Sequence, residues 1–134
     1  MVSVLMPVYR PSLAWLEEAL TSLLNQTNPS WQLVMSLDGN DPQTSAAAEL
    51  AQHFFNTHLH QELILVRGTR SGISDALNRG LAHCNTPFTA RLDADDLCLP
   101  DRFEFQTAAL EANPNLIAIG MQIQGIDHKG QTVR

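Results

Sequence analysis

The sequence contains few of the residue types that characterise several protein classes. Among 134 residues there are two cysteines, one tyrosine and a single lysine, Lys129. Two cysteines, Cys84 and Cys98, cannot build a disulfide framework, which favours a reducing compartment. The net charge is -6, and no basic tract is present. This composition argues against a nucleic-acid-binding groove and predicts no nucleic-acid partner.

Long apolar runs are also absent. No run approaches the ~20 residues that a membrane-spanning helix requires. The N-terminus begins with a strand-like segment, not with the charged and apolar regions of a signal peptide. We therefore expect a cytoplasmic protein without a transmembrane segment. A hydrophobic fraction of 44% over 134 residues is sufficient for a single domain, residues 1–134, with its own core.

Short apolar runs alternate with segments of helical periodicity along the chain. The predicted strands are Val2–Val8, Gln32–Leu37, Leu63–Val66, Phe88–Leu92 and Leu116–Ile126. The predicted helices are Leu13–Gln26, Gln43–Asn56, Ile73–Leu81 and a segment from Pro100 to about Ala112. Ser12 and Ser71 are expected to cap the first and third helices. The alternation predicts a three-layer α/β/α fold with an open, mostly parallel, Rossmann-like sheet.

Polar residues follow each of the first four predicted strands. They are Tyr9-Arg10, Asp38-Gly39, Arg67–Gly72 and Asp93–Asp96. Ligands of open parallel sheets bind at the carboxyl ends of the strands. We therefore expect these four loops to lie near one another and to form one site.

The acidic run Asp93-Ala94-Asp95-Asp96 is the strongest candidate for chemistry. Three carboxylates within four positions repel one another and are costly to hold together without a cation. One or two such carboxylates, completed by substrate phosphate and water, are typical of a hard divalent metal site. The alternative is an acidic turn that caps the helix beginning at Pro100.

Two other uses of this acidic run are disfavoured. An EF-hand loop beginning at Asp93 would need a ligand and a glycine where Leu97 and Cys98 stand. A phosphatase with an aspartyl nucleophile would place its acids after a strand, but here the strand comes late and Arg91 precedes the acids.

The loops after the second and third strands suggest nucleotide binding. Asp38 can accept a hydrogen bond from a nucleobase N–H or a ribose hydroxyl, although an Asx-type turn is the commoner role. Gly72 permits close approach of a ligand, the following helix offers free N–H groups to phosphate, and Arg70 adds charge. Asn78 could orient the acidic loop, and a surface role fits its spacing equally well. Dinucleotide-binding and P-loop motifs are absent.

Several segments, in order, resemble the N-terminal half of a family 2 glycosyltransferase with the GT-A fold. They are Val4–Tyr9, Ser22–Thr27, Leu37–Gly39, Gly72–Leu81, Ala90–Asp96 and Pro100–Glu104. The resemblance extends over essentially the whole chain. It implies a nucleotide-sugar donor, most often a UDP-sugar, with Mn²⁺ or Mg²⁺ as cofactor. It also implies transfer to an acceptor hydroxyl with inversion of the anomeric centre.

The resemblance, together with the residue-based candidates, defines the expected site. The expected nucleotide-sugar-binding residues are Pro7, Tyr9, Asp38, Arg70, Gly72, Asn78, Asp93 and Asp95. The implied metal ligands are Asp95 and Asp96, and the sequence does not distinguish which of them binds directly. Gly39 stands where the family commonly has a second acid, which weakens the expected nucleoside contacts.

Further expectations follow from the family pattern. The catalytic base and the acceptor-binding residues are expected in sequence beyond Arg134. The acceptor is expected to be a saccharide or a lipid-linked saccharide of a cell-surface polysaccharide. A longer enzyme of this kind is expected in the cytoplasm, with peripheral binding to the inner membrane left open. The predicted last strand, near Met121–Ile126, would leave an exposed sheet edge and favour homo-oligomers.

Two alternative functions stay open at this point. A non-catalytic nucleotide-binding module is favoured if the chain has no catalytic base. A nucleotidyltransferase also combines a nucleotide fold with metal-binding acids. It would normally have a glycine-rich, basic first loop, whereas this chain has Tyr9-Arg10-Pro11-Ser12.

Overall fold

Four strands and four helices alternate in the computed structural model, which describes residues 1–58 and 60–133. The strands are β1 (Val2–Val8), β2 (Trp31–Asp38), β3 (Leu63–Gly68) and β4 (Phe88–Arg91). The helices are α1 (Leu13–Leu24), α2 (Pro42–His58), α3 (Ile73–Leu81) and α4 (Arg102–Ala112). The strands are parallel and lie in the order β3-β2-β1-β4. The predicted α/β class with a parallel sheet is confirmed.

Both faces of the sheet are covered, which explains why the central strands β1 and β2 are almost continuously buried. All eight residues of β2 are buried. The larger core joins one face of β1 and β2 to α1, α2 and Phe103 of α4. The smaller core, Leu5, Val34 and Val66, lies on the opposite face together with Leu77 of α3.

Helix α3 packs very closely on the smaller core because it carries Gly80. A Cβ atom at this position would lie 2.5 Å from Cδ1 of Leu5 and 3.0 Å from Cβ of Ser36. Glycine therefore lets the helix backbone approach β1 and β2, and this approach brings the N-terminus of α3 to the end of β2.

The first residues of α1 and α3 agree with the prediction, whereas the predicted N-cap is correct for α1 and wrong for α3. Ser12 caps α1, and its Oγ accepts a hydrogen bond from the Trp15 N–H. The N-cap of α3 is Gly72, not Ser71, and Gly72 supplies no side-chain cap. In the two described ranges, no helix combines the length and the apolar character that crossing a membrane requires.

The prediction of a fifth strand over Leu116–Ile126 is wrong. In this part of the described chain, strand-like pairing is limited to an isolated antiparallel bridge between Ile126 and Thr132. Ile117 and Ile123 are 100% and 97% exposed, so the apolar side chains that suggested a strand have no sheet to pack against. Apolar content predicts a strand only where a neighbouring strand supplies the hydrogen bonds and the packing. The expected edge strand near Met121–Ile126 is therefore absent.

Candidate functional site

The carboxyl ends of the four strands lie along one edge of the sheet. In the register, Val8 of β1 is beside Leu37, and Asp38 of β2 is beside Gly68 of β3. Strand β4 pairs with the other side of β1, where Arg91 is beside Leu5. The direction of chain progression reverses between β1 and β4, which is where ligands of open α/β sheets bind.

Asp38 organises the loop between β3 and α3. Its residue surface is only 2% exposed. Oδ1 accepts a hydrogen bond from the Ser71 N–H at 2.9 Å, and Oδ2 accepts one from the Gly72 N–H at 3.0 Å. Arg70 Nη1 donates to Oδ2 and forms an ion pair with it. Asp38 thus binds the two backbone N–H groups that immediately precede α3.

The environment of Asp38 favours its ionised form. Burial alone would raise the pKa of this carboxyl group. The hydrogen bonds from the Ser71 and Gly72 N–H groups, together with the Arg70 guanidinium, outweigh burial and hold the pKa below its usual value. Both carboxylate oxygens already have donors, so the carboxylate serves first as an anchor for the loop.

Tyr9 and Arg70 form the wall of a cleft beyond β1, β2 and β3. The Arg70 guanidinium lies over the Tyr9 ring, with Cζ 3.7 Å from the ring centroid. Arg10 is farther away, with Cζ 5.4 Å from the same centroid. The cleft is completed by residues of the loops after β2 and β3, namely Gly39, Asn40, Asp41, Arg67, Gly68 and Thr69. An aromatic face and guanidinium groups suit a planar, acceptor-rich ring such as a nucleobase.

The first loop is fixed to the start of α2. Arg10 has φ = 43°, which is uncommon for a residue other than glycine. Its N–H donates to Thr44 Oγ1, and its carbonyl accepts from Gln43 Nε2. Asp41 Oδ1 accepts from the Gln43 and Thr44 N–H groups, which makes Asp41 the cap of α2. These contacts hold Tyr9 in place beside the cleft.

The acidic loop after β4 contains one paired and two exposed carboxylates. Arg91 Nε and Nη2 donate to the two oxygens of Asp93 at 2.9 and 3.1 Å. The loop turns tightly, since the Asp96 N–H donates to the Asp93 carbonyl at 3.1 Å. Asp95 and Asp96 are exposed to solvent. Two of the three carboxylates therefore remain available to an external cation.

The carboxylates of this loop repel one another. Reduced hydration of its carboxyl group, followed by repulsion from Asp95 and Asp93, raises the pKa of Asp96. A bound divalent cation would remove this repulsion. Within the described ranges, no group of three or more His, Cys, Asp or Glu side chains is arranged to hold a metal ion. The two exposed carboxylates, Asp95 and Asp96, fit a metal held by one or two carboxylates and completed by other ligands.

Gln26 fixes the segment that follows the acidic loop. Its buried Nε2 donates to the Leu99 carbonyl at 2.6 Å and to the Cys98 carbonyl at 3.4 Å. Its Oε1 accepts from the Phe103 N–H at 3.3 Å. The neighbouring Thr27 N–H donates to the Pro100 carbonyl at 2.8 Å. The end of α1 thus sets the path of the chain from the acidic loop into α4.

Of the remaining expected site residues, Gly72 donates to Asp38, whereas Pro7 and Asn78 lie outside the group around Asp38. Pro7 is within β1 and partly buried beside Ser36 of β2. Gly72 has φ = 102°, a backbone conformation that favours glycine. The Asn78 side chain is exposed and has no hydrogen-bond partner among the described residues. The structure therefore joins Tyr9, Arg70, Asp38 and Gly72 directly and leaves Asn78 outside this group.

Sequence reasoning missed three residues that shape the site. Gln26 is buried although glutamine is usually exposed, and a single sequence gives no sign of this. Arg91 pairs with Asp93, two positions later in the sequence. Residues at this spacing lie on the same side of an extended segment, so the sequence could have predicted this ion pair. Arg79 contacts the end of β2 from α3, which depends on helix packing and has no local signal.

A family model described as "Glycosyl transferase family 2" matches residues 3–134. An uncharacterized glycosyltransferase of Haemophilus influenzae is 38% identical over 122 residues, covering 90% of this chain and 44% of the relative. The amylovoran biosynthesis glycosyltransferase AmsE of Erwinia amylovora is 34% identical over 116 residues, covering 87% of this chain and 42% of the relative. The chain therefore spans less than half the length of these two relatives.

Solved structures share the fold. The mannosyltransferase PcManGT from Pyrobaculum calidifontis, in complex with GDP-Man and Mn²⁺, matches with a TM-score of 0.72 and 25% identity. The match covers 86% of this chain and 33% of PcManGT. Staphylococcus aureus TarS, in complex with UDP-GlcNAc, matches with a TM-score of 0.69 and 23% identity, covering 83% and 31% of the two chains. The described residues therefore have the GT-A architecture that the resemblance implied.

Proposed function

The chain belongs to glycosyltransferase family 2, and from this premise we propose that it binds the donor for a metal-dependent sugar transfer. The proposed donor is a sugar linked to a nucleoside diphosphate. The observation that carries the proposal is the placement of two different chemical groups at one sheet edge. The Tyr9–Arg70–Asp38 cleft lies beyond β1 to β3, and the exposed acidic loop lies beyond β4.

We assign the cleft to the nucleoside. Tyr9 would stack on the base, and Arg70 would donate hydrogen bonds to its acceptor atoms. Asp38 and Pro7 would shape the floor of the cleft at the ends of β2 and β1. The Gly72 backbone leaves room for the ligand beside α3. A UDP-sugar is our first choice of donor, and TarS in complex with UDP-GlcNAc supports it as a structural neighbour.

We assign the acidic loop to the ribose and the diphosphate. Asp93 and Asp95 would contact these groups with the D-x-D spacing of the sequence, while Asp95 and Asp96 would hold Mn²⁺ or Mg²⁺. When bound, the divalent cation neutralises charge on the diphosphate leaving group. The support for this assignment is the exposure of both carboxylates and the raised pKa of Asp96, which is due first to reduced hydration of its carboxyl group and then to repulsion from Asp95 and Asp93. Asn78, which is exposed on α3, would contact the part of the donor that lies beside this helix.

The finer proposal concerns the acceptor. We propose transfer to a hydroxyl of a saccharide or lipid-linked saccharide, with inversion at the anomeric carbon and a carboxylate as the general base. The name of AmsE, an amylovoran biosynthesis glycosyltransferase, supports a role in surface polysaccharide synthesis. A cytoplasmic enzyme working at the inner face of the membrane would fit such a role.

Calorimetric titration of UDP into the purified chain, with and without Mn²⁺, tests the proposal. We expect binding that requires the metal and that is lost in the double variant Asp95→Ala with Asp96→Ala. A parallel titration with GDP tests the choice of base. Metal-independent binding, or binding that survives the double change, would contradict the metal assignment.

A matched control is available on α1. Glu17 and Glu18 are both exposed and lie in the middle of a helix. The double variant Glu17→Ala with Glu18→Ala removes the same amount of negative charge. We expect it to bind UDP and Mn²⁺ as the unchanged protein does, because its effect is limited to weak long-range electrostatics. Equal losses in both double variants would indicate a nonspecific charge effect.

A further inference from the structure

Arg79 is a second cation beside Asp38, and it approaches Oδ1, whereas Arg70 pairs with Oδ2. It belongs to α3 and reaches the ends of β2 and β3 at Leu37 and Gly68. Nη2 lies 3.4 Å from the Leu37 carbonyl, to which it donates, and 3.6 Å from Asp38 Oδ1. The side chain is 24% exposed, compared with 51% for Arg70. Arg79 is therefore the more enclosed of the two arginines that face this carboxylate.

The fold makes room for this guanidinium at Gly68. A Cβ atom at residue 68 would overlap the Cζ, Nη1 and Nε atoms of Arg79. Gly68 is the register partner of Asp38, and its carbonyl accepts the Gly39 N–H at 3.0 Å. The guanidinium thus takes the position that a side chain of β3 would otherwise fill, directly beside the end of β2.

The bonding of Arg79 is incomplete. Its Nε is buried and has no hydrogen-bond partner among the described residues. A buried donor without a partner is costly, and the 3.6 Å separation from Asp38 is longer than a good charged hydrogen bond. Arg79 therefore holds unused donor capacity next to a carboxylate whose closest cation at present is Arg70.

The position of Arg70 conflicts with the proposed stacking of a base. Its guanidinium covers the Tyr9 ring at 3.7 Å. A base can reach that ring face only if Arg70 moves, and the movement would take the closest cation away from Asp38. An enclosed carboxylate that loses its partner is strongly destabilised, unless another cation replaces it.

We propose that Arg79 is a positioning residue that keeps Asp38, and through it the Ser71 and Gly72 backbone, in place when Arg70 turns toward a nucleotide. The effect of Arg79 on nucleotide binding rests on the proposed function. The role of Arg79 in holding Asp38 concerns the ligand-free protein and does not depend on that function. Arg79 does not touch the donor in this scheme. It preserves the loop that the donor contacts.

Amide hydrogen exchange at Ser71 and Gly72 tests the structural part, since both N–H groups donate to Asp38. The variants are Arg70→Ala, Arg79→Met and the two combined. We expect exchange in the double variant to exceed the product of the two single effects by at least about fivefold, because either arginine can hold Asp38. Effects that simply multiply would overturn the proposal.

Arg67→Met is the matched control for the exchange measurement. Arg67 belongs to the same strand end but donates to the Gly39 carbonyl and to Ser45 Oγ, not to Asp38. We expect this change to leave the coupling between Arg70 and Arg79 intact. If Arg79→Met does not fold, Arg79→Gln replaces it, and Arg79→Lys should restore the protection that the uncharged variants lose.

Titration of UDP with Mn²⁺ then tests the link to the ligand. We expect Arg79→Met to weaken binding about tenfold and Arg79→Lys to recover most of that loss, a size typical of coupling between neighbouring sites. Unchanged affinity in Arg79→Met would overturn the ligand link. If the unchanged protein binds no UDP, the proposed function fails, and the exchange measurement still decides the role of Arg79.

Discussion

At the scale of single residues, the loop beside the cleft depends on how one enclosed carboxylate is satisfied. Asp38 accepts two backbone N–H groups of the loop and a guanidinium, and almost none of its surface reaches solvent. The ionised form accepts from every donor at once, which a neutral side chain of the same shape cannot do. The sequence indicated Asp38 as a binding residue. The sequence could not show that the Ser71 and Gly72 N–H groups already donate to this carboxylate, because these bonds depend on how the loop between β3 and α3 folds.

Asp38→Asn should destabilise the protein at neutral pH. The amide NH₂ group would face donors in place of an acceptor, so at least one backbone N–H would be left without a partner. We expect the free energy of unfolding to fall by roughly 2 kcal/mol, the usual size for a lost hydrogen bond to a charged group. Urea denaturation at pH 7 measures this difference. The exposed Asn40, changed to Ala, serves as a control with little expected effect.

The unchanged protein and Asp38→Asn should have similar free energies of unfolding in acid. The pKa of Asp38 is lowered in the folded state, so its ionisation stabilises the fold above the unfolded value of about 3.9. That contribution disappears as the pH falls through the lower folded value. We therefore expect the stability difference between the unchanged protein and Asp38→Asn to shrink as urea denaturation is repeated below about pH 4. A difference that is constant with pH would show that ionisation of Asp38 does not contribute.

At the scale of elements, the segment that follows the acidic loop is positioned by the end of a helix far from it in sequence. Gln26, just past the end of α1, holds Leu99 and Phe103 through one amide group. Strand and helix patterns were predictable because their periodicity is local. Thus β1 was found with correct bounds, and β3 extends past the predicted end at Val66 to Gly68. The bond from Gln26 was not predictable, because burial of a polar residue is decided by tertiary packing.

Gln26→Glu tests this connection with almost no change in shape. The substitution replaces the Nε2 donor by an oxygen that faces the Leu99 and Cys98 carbonyls. We expect the free energy of unfolding to fall by roughly 2–3 kcal/mol, since enclosed carbonyls lose their donor and meet a second acceptor. Amide exchange at Phe103 should rise in parallel. Gln52→Glu, an exposed change on α2 with the same charge, should have little effect on either measurement.

At the scale of the whole molecule, the sheet ends in β4, and this strand pairs with β1 alone in the described part of the chain. The expected extra strand over Leu116–Ile126 does not cover it. The segment is apolar, as the sequence shows, but a strand also needs a neighbouring strand with which to form hydrogen bonds. A local sequence pattern does not show whether such a neighbour is present. The two edges of the described sheet therefore lie at β3 and β4, and the edge at β4 replaces the one that was expected near Met121–Ile126.

An unpaired strand edge offers N–H and C=O groups to another chain, so we expect the purified 134-residue chain to self-associate at high concentration. Thr89 is exposed within β4. A lysine there would place a charge at the edge, and two copies could not pair without burying or opposing these charges. Light scattering over a concentration series should show that Thr89→Lys shifts the population toward the monomer. Gln52→Lys adds the same charge on α2 and should leave association unchanged. Equal mass in all three proteins at every concentration would mean that β4 is not the contact, because a contact through this edge must respond to a charge placed within it.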